Sequence, residues 1–404
     1  MTIAALLLTS RAQGQEPPWV TLGVNAVPVY TEADPVPRGG SLGEVRVVQP
    51  TLMVHAGALN DRLRFMATLN LEGLTIPDGE LAPGDWGEGF MDRRHPHTYA
   101  HEVILSYNQP FGSGAFSLSA GKGFGPFGTD DPMSRPPLRY PVNHHLAQIL
   151  ERWVAILGAR MGPVLLEGGL FDGDEPDRPS RWPDISRFAD SWSTRLTLFP
   201  LDHLEVQGSH AEVHSPEHRE GFGPDQSKWS LSGRWSGLIR RSRLYGLVEW
   251  ARTSEAEGFF VFDSFLAEGA WDRGRHRLLY RFERTGRPEE QRILDPFRSS
   301  RPHTENSILG TTRWTIHTAG YGFRLKLSDL VETLPFVELS HGSVAKVGGG
   351  LFDPESFYGS TSFWSLSVGA RLGVGMPMHR MGRYGVAQDT AVETTEEHHG
   401  QHDH

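Results

Sequence analysis

The chain of 404 residues contains no cysteine. That removes disulfides, thiolate metal sites and cysteine nucleophiles, and it suits export through an oxidising compartment. It also lacks any run near the ~18 consecutive apolar residues that a membrane-crossing helix needs, and its mean hydropathy is −0.38. Helical spans are therefore excluded. Spans made of strands are not, because alternating strands average to a hydrophilic score. Lysine is scarce, with only Lys122, Lys228, Lys326 and Lys346 beside many arginines. A net charge of −10 and no Lys/Arg-dense stretch argue against nucleic acid as a partner. Catalytic signatures are missing too. There is no G-x-S-x-G, His101-Glu102 has no second histidine at zincin spacing, and Gly121-Lys122-Gly123-Phe124-Gly125-Pro126 leads into prolines rather than a helix. The sequence assigns no catalytic residue and reads as a non-enzyme that requires no cofactor.

What the chain has in quantity is glycine (46), proline (28) and alternation. From Trp364 to Met376 every even position is apolar, and every odd one is Ser, Gly or Arg. Successive strand side chains point to opposite faces, so one face is greasy and the other small, polar and cationic. Leu63, Phe65, Ala67, Leu69 and Leu71 alternate in the same way with Arg64, Met66, Thr68, Asn70 and Glu72. So do Trp192 to Leu198, Trp229 to Ser236, and Leu278 to Glu283. Strands are expected near 19–30, 43–58, 62–74, 99–109, 114–122, 147–160, 163–172, 189–199, 203–213, 227–237, 241–253, 258–271, 275–286, 310–327, 335–345 and 360–376. Two fit poorly. The 258–271 segment is apolar on both faces in places, and 310–327 changes phase between Ile316 and Tyr321, as a glycine bulge would make it do.

Short connections alternate with long, polar, Pro/Gly-rich ones almost throughout, 254–257 being the exception. This rhythm predicts an all-β fold: a transmembrane antiparallel up-and-down β-barrel of about sixteen strands, with short periplasmic turns and long extracellular loops. Tryptophans near strand ends, Trp19, Trp192, Trp229, Trp314 and Trp364 among them, fit aromatic girdles. Residues 1–14 read as a signal peptide without its basic start, 15–376 as the barrel, and 377–404 as a disordered His-rich periplasmic tail.

On this reading Arg64, Glu72, Arg195, Glu205, Arg234, Arg281, Glu283 and Arg371 line the lumen. The 123–146 connection could fold inward as a constriction carrying Asp130, Asp131, Arg135, Arg139, His144 and His145, or stand outward, stiffened by its prolines. Two histidine groups could bind Cu or Zn: His398, His399, His402 and His404 in the tail, and His95, His97 and His101 at the end of a long loop. His97 and His101 would share one strand face, with Glu102 on the other. A hydrogen-bonded loop knot is the plainer account of the second group, and His144-His145 could meet it.

The motifs Asp92-Arg93-x-His95-Pro96-His97, Gly121-Lys122-Gly123-Phe124 to Pro132-Met133-x-Arg135-Pro136, His144-His145, Glu167-Gly168-x-x-Phe171-x-Gly173-x-Glu175-Pro176 and Asp190-Ser191-Trp192-Ser193-x-Arg195-Leu196 occur in that order. Together they resemble a widespread group of bacterial outer-membrane barrel proteins of unassigned activity, often met beside copper and heavy-metal handling genes. The likeness departs at Arg94 and Thr98. It implies a barrel, the outer membrane and a connection to metals, and it implies no substrate. The function expected is a porin-like channel for passive diffusion of small polar solutes or ions, with membrane lipid around it and a homotrimer as the assembly. The alternatives are a Cu/Zn-linked outer-membrane protein of metal transport or resistance, and a non-conducting surface scaffold.

Overall fold

The computed structural model describes residues 17–35, 40–77, 79, 97–176, 178–216, 221–290 and 308–390. The expected signal peptide, His95 and the tail histidines His398, His399, His402 and His404 lie outside these. Sixteen strands form one antiparallel sheet. The first eight are β1 (Trp19–Asp34), β2 (Leu42–Ala58), β3 (Leu63–Asn70), β4 (Ala100–Phe111), β5 (Gly114–Gly123), β6 (Arg152–Met161), β7 (Val164–Phe171) and β8 (Ser191–Leu201). The second eight are β9 (Leu204–Val213), β10 (Gln226–Ile239), β11 (Ser242–Glu255), β12 (Phe260–Arg273), β13 (His276–Glu290), β14 (Ile308–Phe323), β15 (Val331–Gly350) and β16 (Ser362–Gly375). Leu325–Lys326 adds a two-residue ladder beyond β14. Each strand pairs with its neighbours in sequence, and β1 pairs with both β2 and β16, so the sheet closes and has no free edge. Tight turns join strands at one end. The turn after β2 runs through Leu59, Asn60 and Asp61, all at positive φ, a conformation that the two polar residues tolerate best. Trp19 pairs with Gly57 beside this turn, and Gly375 pairs with Gly23, so the barrel's two ends of chain lie on the same side as the turns.

Alternation is obeyed as expected. Trp192, Leu196 and Leu198 are exposed on the outside of β8, while Ser193, Arg195 and Thr197 are buried on the inside. In β16, Trp364, Val368, Leu372 and Val374 face out, and Ser365 and Ser367 face in. The outer surface is thus a belt of exposed Leu, Val, Phe and Trp, the surface that hydrocarbon rather than water accommodates. Leu196→Arg in mid-strand should cost about 2–4 kcal/mol of folding free energy in lipid vesicles, as charged substitutions on a lipid face do near the midplane. Urea titration of the barrel in vesicles reads this, and the same change at exposed, turn-flanking Leu201 should cost far less.

The two irregular strands have one cause, and it is not a bulge at 316–321. The β14–β15 register runs unbroken from Thr311 to Gly322, and its only shift lies at Gly310/Thr311. Trp314 and Ile316 point inward and are buried with Val142, Val344, Phe352, Tyr358 and Phe363. Trp314 is therefore not part of an outer girdle. In β12, Phe262 and Leu266 likewise point in and are buried, while Val261 and Phe265 face out. Apolar residues occupy both faces because protein fills part of the inside. Residues 124–151, between β5 and β6, fold into the barrel and include the helical turn α1 (His144–Ala147). A second correction concerns residues 377–387, expected as the start of a disordered periplasmic tail. They turn back into the barrel as a strap whose Met381, Arg383, Tyr384, Val386 and Ala387 are buried. Met381 and Tyr384 share an apolar cluster with Phe124, Phe127, Met133 and Tyr140 of the loop and Ile104, Val154, Ile156 and Phe171 of the wall, which is burial enough to order a short, basic, glycine-punctuated segment.

Candidate functional site

The loop crosses the bore. Its backbone and side chains bond to strands all round the ring: Gly128 N–H to Ser209 of β9 (2.9 Å), Thr129 Oγ1 to Glu249 of β11 (2.5 Å), and Asn143 Nδ2 to Ser264 of β12 (3.3 Å). Val142 N–H donates to Glu283 of β13 (2.7 Å), Leu138 N–H to Glu338 of β15 (2.9 Å), and Gln49 of β2 donates to the Leu138 carbonyl (3.1 Å). Gly128 sits at φ +63°, and a Cβ there would run into the Ala147 carbonyl oxygen, so this corner of the loop needs glycine. The inward alternative for the constriction is the one adopted.

The residues expected to line a watery lumen do face inward, and most of them hold the loop and strap. Arg195 makes a bidentate pair with Glu167 at 2.7 Å and donates to the carbonyls of Gly128 and Gly382. Arg281 pairs with Glu268 at 2.8 Å and donates to the Arg139 carbonyl at 2.6 Å. Arg371 reaches the carbonyls of Met133 and Arg135 at 3.4 Å, and Glu283 takes the Val142 N–H. Glu205 pairs with Arg380 of the strap at 2.5 Å. Arg64 stands apart, 3.5 Å from Asp61 at the tight-turn end. Glu72 lies not in β3, which ends at Asn70, but in the next helical turn, where it accepts from Gln49 N–H and from His97.

Charge is most concentrated at Asp130. Its carboxylate accepts from Arg380 (2.6 and 2.9 Å), from Arg383 (3.0 Å) and from Arg234 of β10. Burial alone would raise this carboxyl, but the three guanidiniums overcome it and hold the group well below the usual carboxylate range. One loop carboxylate thereby ties wall, loop and strap together. Arg135 donates to Thr129 Oγ1 (2.6 Å) and the Asp130 carbonyl and lies 3.9 Å from both Glu249 and Glu268. Arg139 donates to Thr31 of β1 at 3.4 Å. His145 lies 3.5 Å from Glu175 and its carbonyl accepts from Lys228.

The two histidine groups that could meet do meet. The ring of His97 lies 4.7 Å from His101 and 5.8 Å from His144, edge to face. His97 Nδ1 bonds to Glu72 and His101 Nδ1 to Glu151, each at 2.8 Å. The expectation that Glu102 would face away from His101 is corrected. Thr68 pairs with Glu102 but Leu69 pairs with Ala100, so His101 is the extra residue of a bulge. A bulge resets the alternation, and His101 and Glu102 are both fully buried inside. Glu102 there accepts from His379 (3.0 Å) and from the Tyr384 hydroxyl (2.7 Å), joining the strap to β4. Asp131 and His144 complete the group, their Oδ2 and Nε2 facing each other at 3.5 Å. Burial brings His144 down to about 3, so its imidazole is neutral.

Sequence reasoning put Glu102 on the wrong face and missed Glu151, Arg380 and Arg383. Arg380 and Arg383 left a signal in the basic, glycine-punctuated run after the last strand, which disorder did not need. Glu151 closes the loop and left none.

A closed sixteen-strand antiparallel barrel with an apolar outside and a charged inside is the architecture of outer-membrane porins. Comparison with solved structures agrees. The chain is similar to an anion-selective porin from Comamonas acidovorans (TM-score 0.54, 11% identity, 89% of this chain and 100% of that one). It is similar also to a loop L8 deletion mutant of OmpT, an outer membrane protein of Vibrio cholerae (TM-score 0.51, 11% identity, 89% and 100%). No protein-family model and no curated protein matches the chain. The copper association that the motif resemblance implies gains no support from these comparisons.

Proposed function

We propose that the protein is an outer-membrane channel of porin type whose bore is narrowed by its own loop and strap, and that it passes small polar solutes or ions by diffusion. The observation that carries this is the pairing of a closed, apolar-faced barrel with an interior lined by Arg, Glu, Asp, Ser and Thr, the polar lining that barrels with a water-filled channel have. A small cavity of about 70 Å³ opens beside the loop at the end away from the tight turns, lined by His145, Gln148, Arg152, Glu175, Lys228 and Arg287 among others. Its mixed charge suits small hydrophilic solutes rather than apolar ones. In this reading the tight turns face the periplasm and the long connections the outside.

Planar-bilayer recording tests it. Purified protein should give discrete, low single-channel conductance in KCl, with weak ion preference because the interior charges are largely paired. Complete absence of channel events from folded protein overturns it and favours the surface-scaffold alternative.

A further inference from the structure

We infer that His97, Asp131 and His144 form a binding site for one borderline divalent cation of the Zn(II)/Cu(II) class, built where the inward loop meets the start of β4. One ligand atom from each of the three lies within 4.8 Å of the others, and all three residues are buried. Metal binding needs these atoms to converge by about 1–2 Å, since three donors at ~2.0–2.2 Å from one ion stand ~3.0–3.5 Å apart. His144 Nε2 and Asp131 Oδ2 are already at 3.5 Å.

Three observations point to a ligand rather than a plain polar knot. His144 Nε2 and Asp131 Oδ2 have only each other, at a long 3.5 Å, among the described residues, and Nε2 of neighbouring His101 makes no hydrogen bond there. Buried polar atoms are rarely left so, because the desolvation of an unsatisfied group costs about 1–3 kcal/mol. His144 and Asp131 also belong to the set of three whose ligand atoms converge within 4.8 Å. Finally, the far nitrogens of the two wall histidines are each fixed by a buried carboxylate, Glu72 on His97 and Glu151 on His101. Metal-binding histidines are oriented in this way, by a carboxylate that fixes the tautomer and the direction of the ring. Two imidazoles and a carboxylate suit a borderline ion better than Ca²⁺ or Mg²⁺, which prefer all-oxygen sets. The fourth position would be filled by water or by His101, whose ring packs on that of His97. A bound ion would tie loop 124–151 to the wall. The inference does not require conductance, so failure of the channel reading leaves it standing.

The test uses the full chain with His398→Ala, His399→Ala, His402→Ala and His404→Ala, so that the tail offers no imidazole. Titration with ZnCl₂ in detergent should show one saturable equivalent, and Co(II) substituted there should give visible d–d absorption. Asp131→Asn, which keeps the carbonyl that caps Met133 N–H (2.7 Å), and His144→Gln should each abolish the equivalent. Glu72→Gln should weaken it by about 10–100-fold, and His276→Ala, at an exposed tight turn, should leave it unchanged. X-ray absorption of the Zn-loaded tail-substituted protein, which needs no change at the site, should report two imidazoles and oxygen, or three where His101 takes the fourth position. No saturable binding, binding unaltered by Asp131→Asn and His144→Gln, or an all-oxygen shell overturns the inference.

Discussion

Asp130→Leu is expected to be the most damaging single substitution inside the barrel. It removes the carboxylate to which Arg234, Arg380 and Arg383 all hydrogen-bond and leaves guanidiniums facing one another with little water. Breaking one partner from a buried ion pair costs about 3–5 kcal/mol because the charge left behind is uncompensated. Here three are left, with Glu205 and Glu167 able to take up part of the load. The strap and loop should separate rather than the wall unfold, since each strand keeps its two neighbours. Trypsin cleavage after Arg380 and Arg383 is the direct reading: protected in the wild type, fast in Asp130→Leu, with the barrel core resistant in both. Equal protection would mean that the knot contributes little.

The second large effect concerns conductance. Arg380→Ala together with Arg383→Ala removes both of the strap's cations, and with them the bonds to Asp130, Glu205 and Gln207. What then holds the strap is His379, Gly382 N–H and the Tyr384 hydroxyl on Glu102, Arg195 on the Gly382 carbonyl, Val386 N–H on Ser117 and the burial of Met381 and Tyr384. The double variant should show several-fold larger and noisier single-channel currents than the wild type, with a shift toward cation preference as Asp130 and Glu205 lose their partners. Because both predictions act on one network, combining them should give less than the sum of their separate effects. Unchanged current in the double variant would place the strap outside the ion path.

The wall was legible in the sequence because its signal is local. A period of two between Trp192 and Leu198, or Leu63 and Glu72, states which side meets lipid, and the turn residues at Asn60-Asp61 and Gly162 mark the reversals. The interior was legible only in part. Inward charges such as Arg195 and Arg281 could be named from strand parity, yet what they hold is more than a hundred residues away in some cases, as with Arg281 and the Arg139 carbonyl. Parity also failed at His101 and Glu102, where a one-residue bulge resets it and the sequence carries no mark of the extra residue. The strap read as disordered together with the acidic, His-rich residues that follow it, although its two arginines lie opposite Asp130 and Glu205. The apolar excess at Phe262, Leu266, Trp314 and Ile316 was the sequence's own record of a filled interior, misread as an irregular strand.

The absence of cysteine allows the most direct test, which asks whether the segment after the last strand lies inside the barrel. Val386 N–H donates to Ser117 Oγ at 3.1 Å on the inner face of β5, while the next residue, Leu118, is exposed on the outer face. Full-length protein carrying Ser117→Cys and Val386→Cys should form an internal disulfide under mild oxidation, seen as a reductant-sensitive mobility shift. The pair Leu118→Cys and Val386→Cys should not. Cross-linking of the outer pair, or none at position 117, would contradict a strap folded into the lumen of a closed barrel.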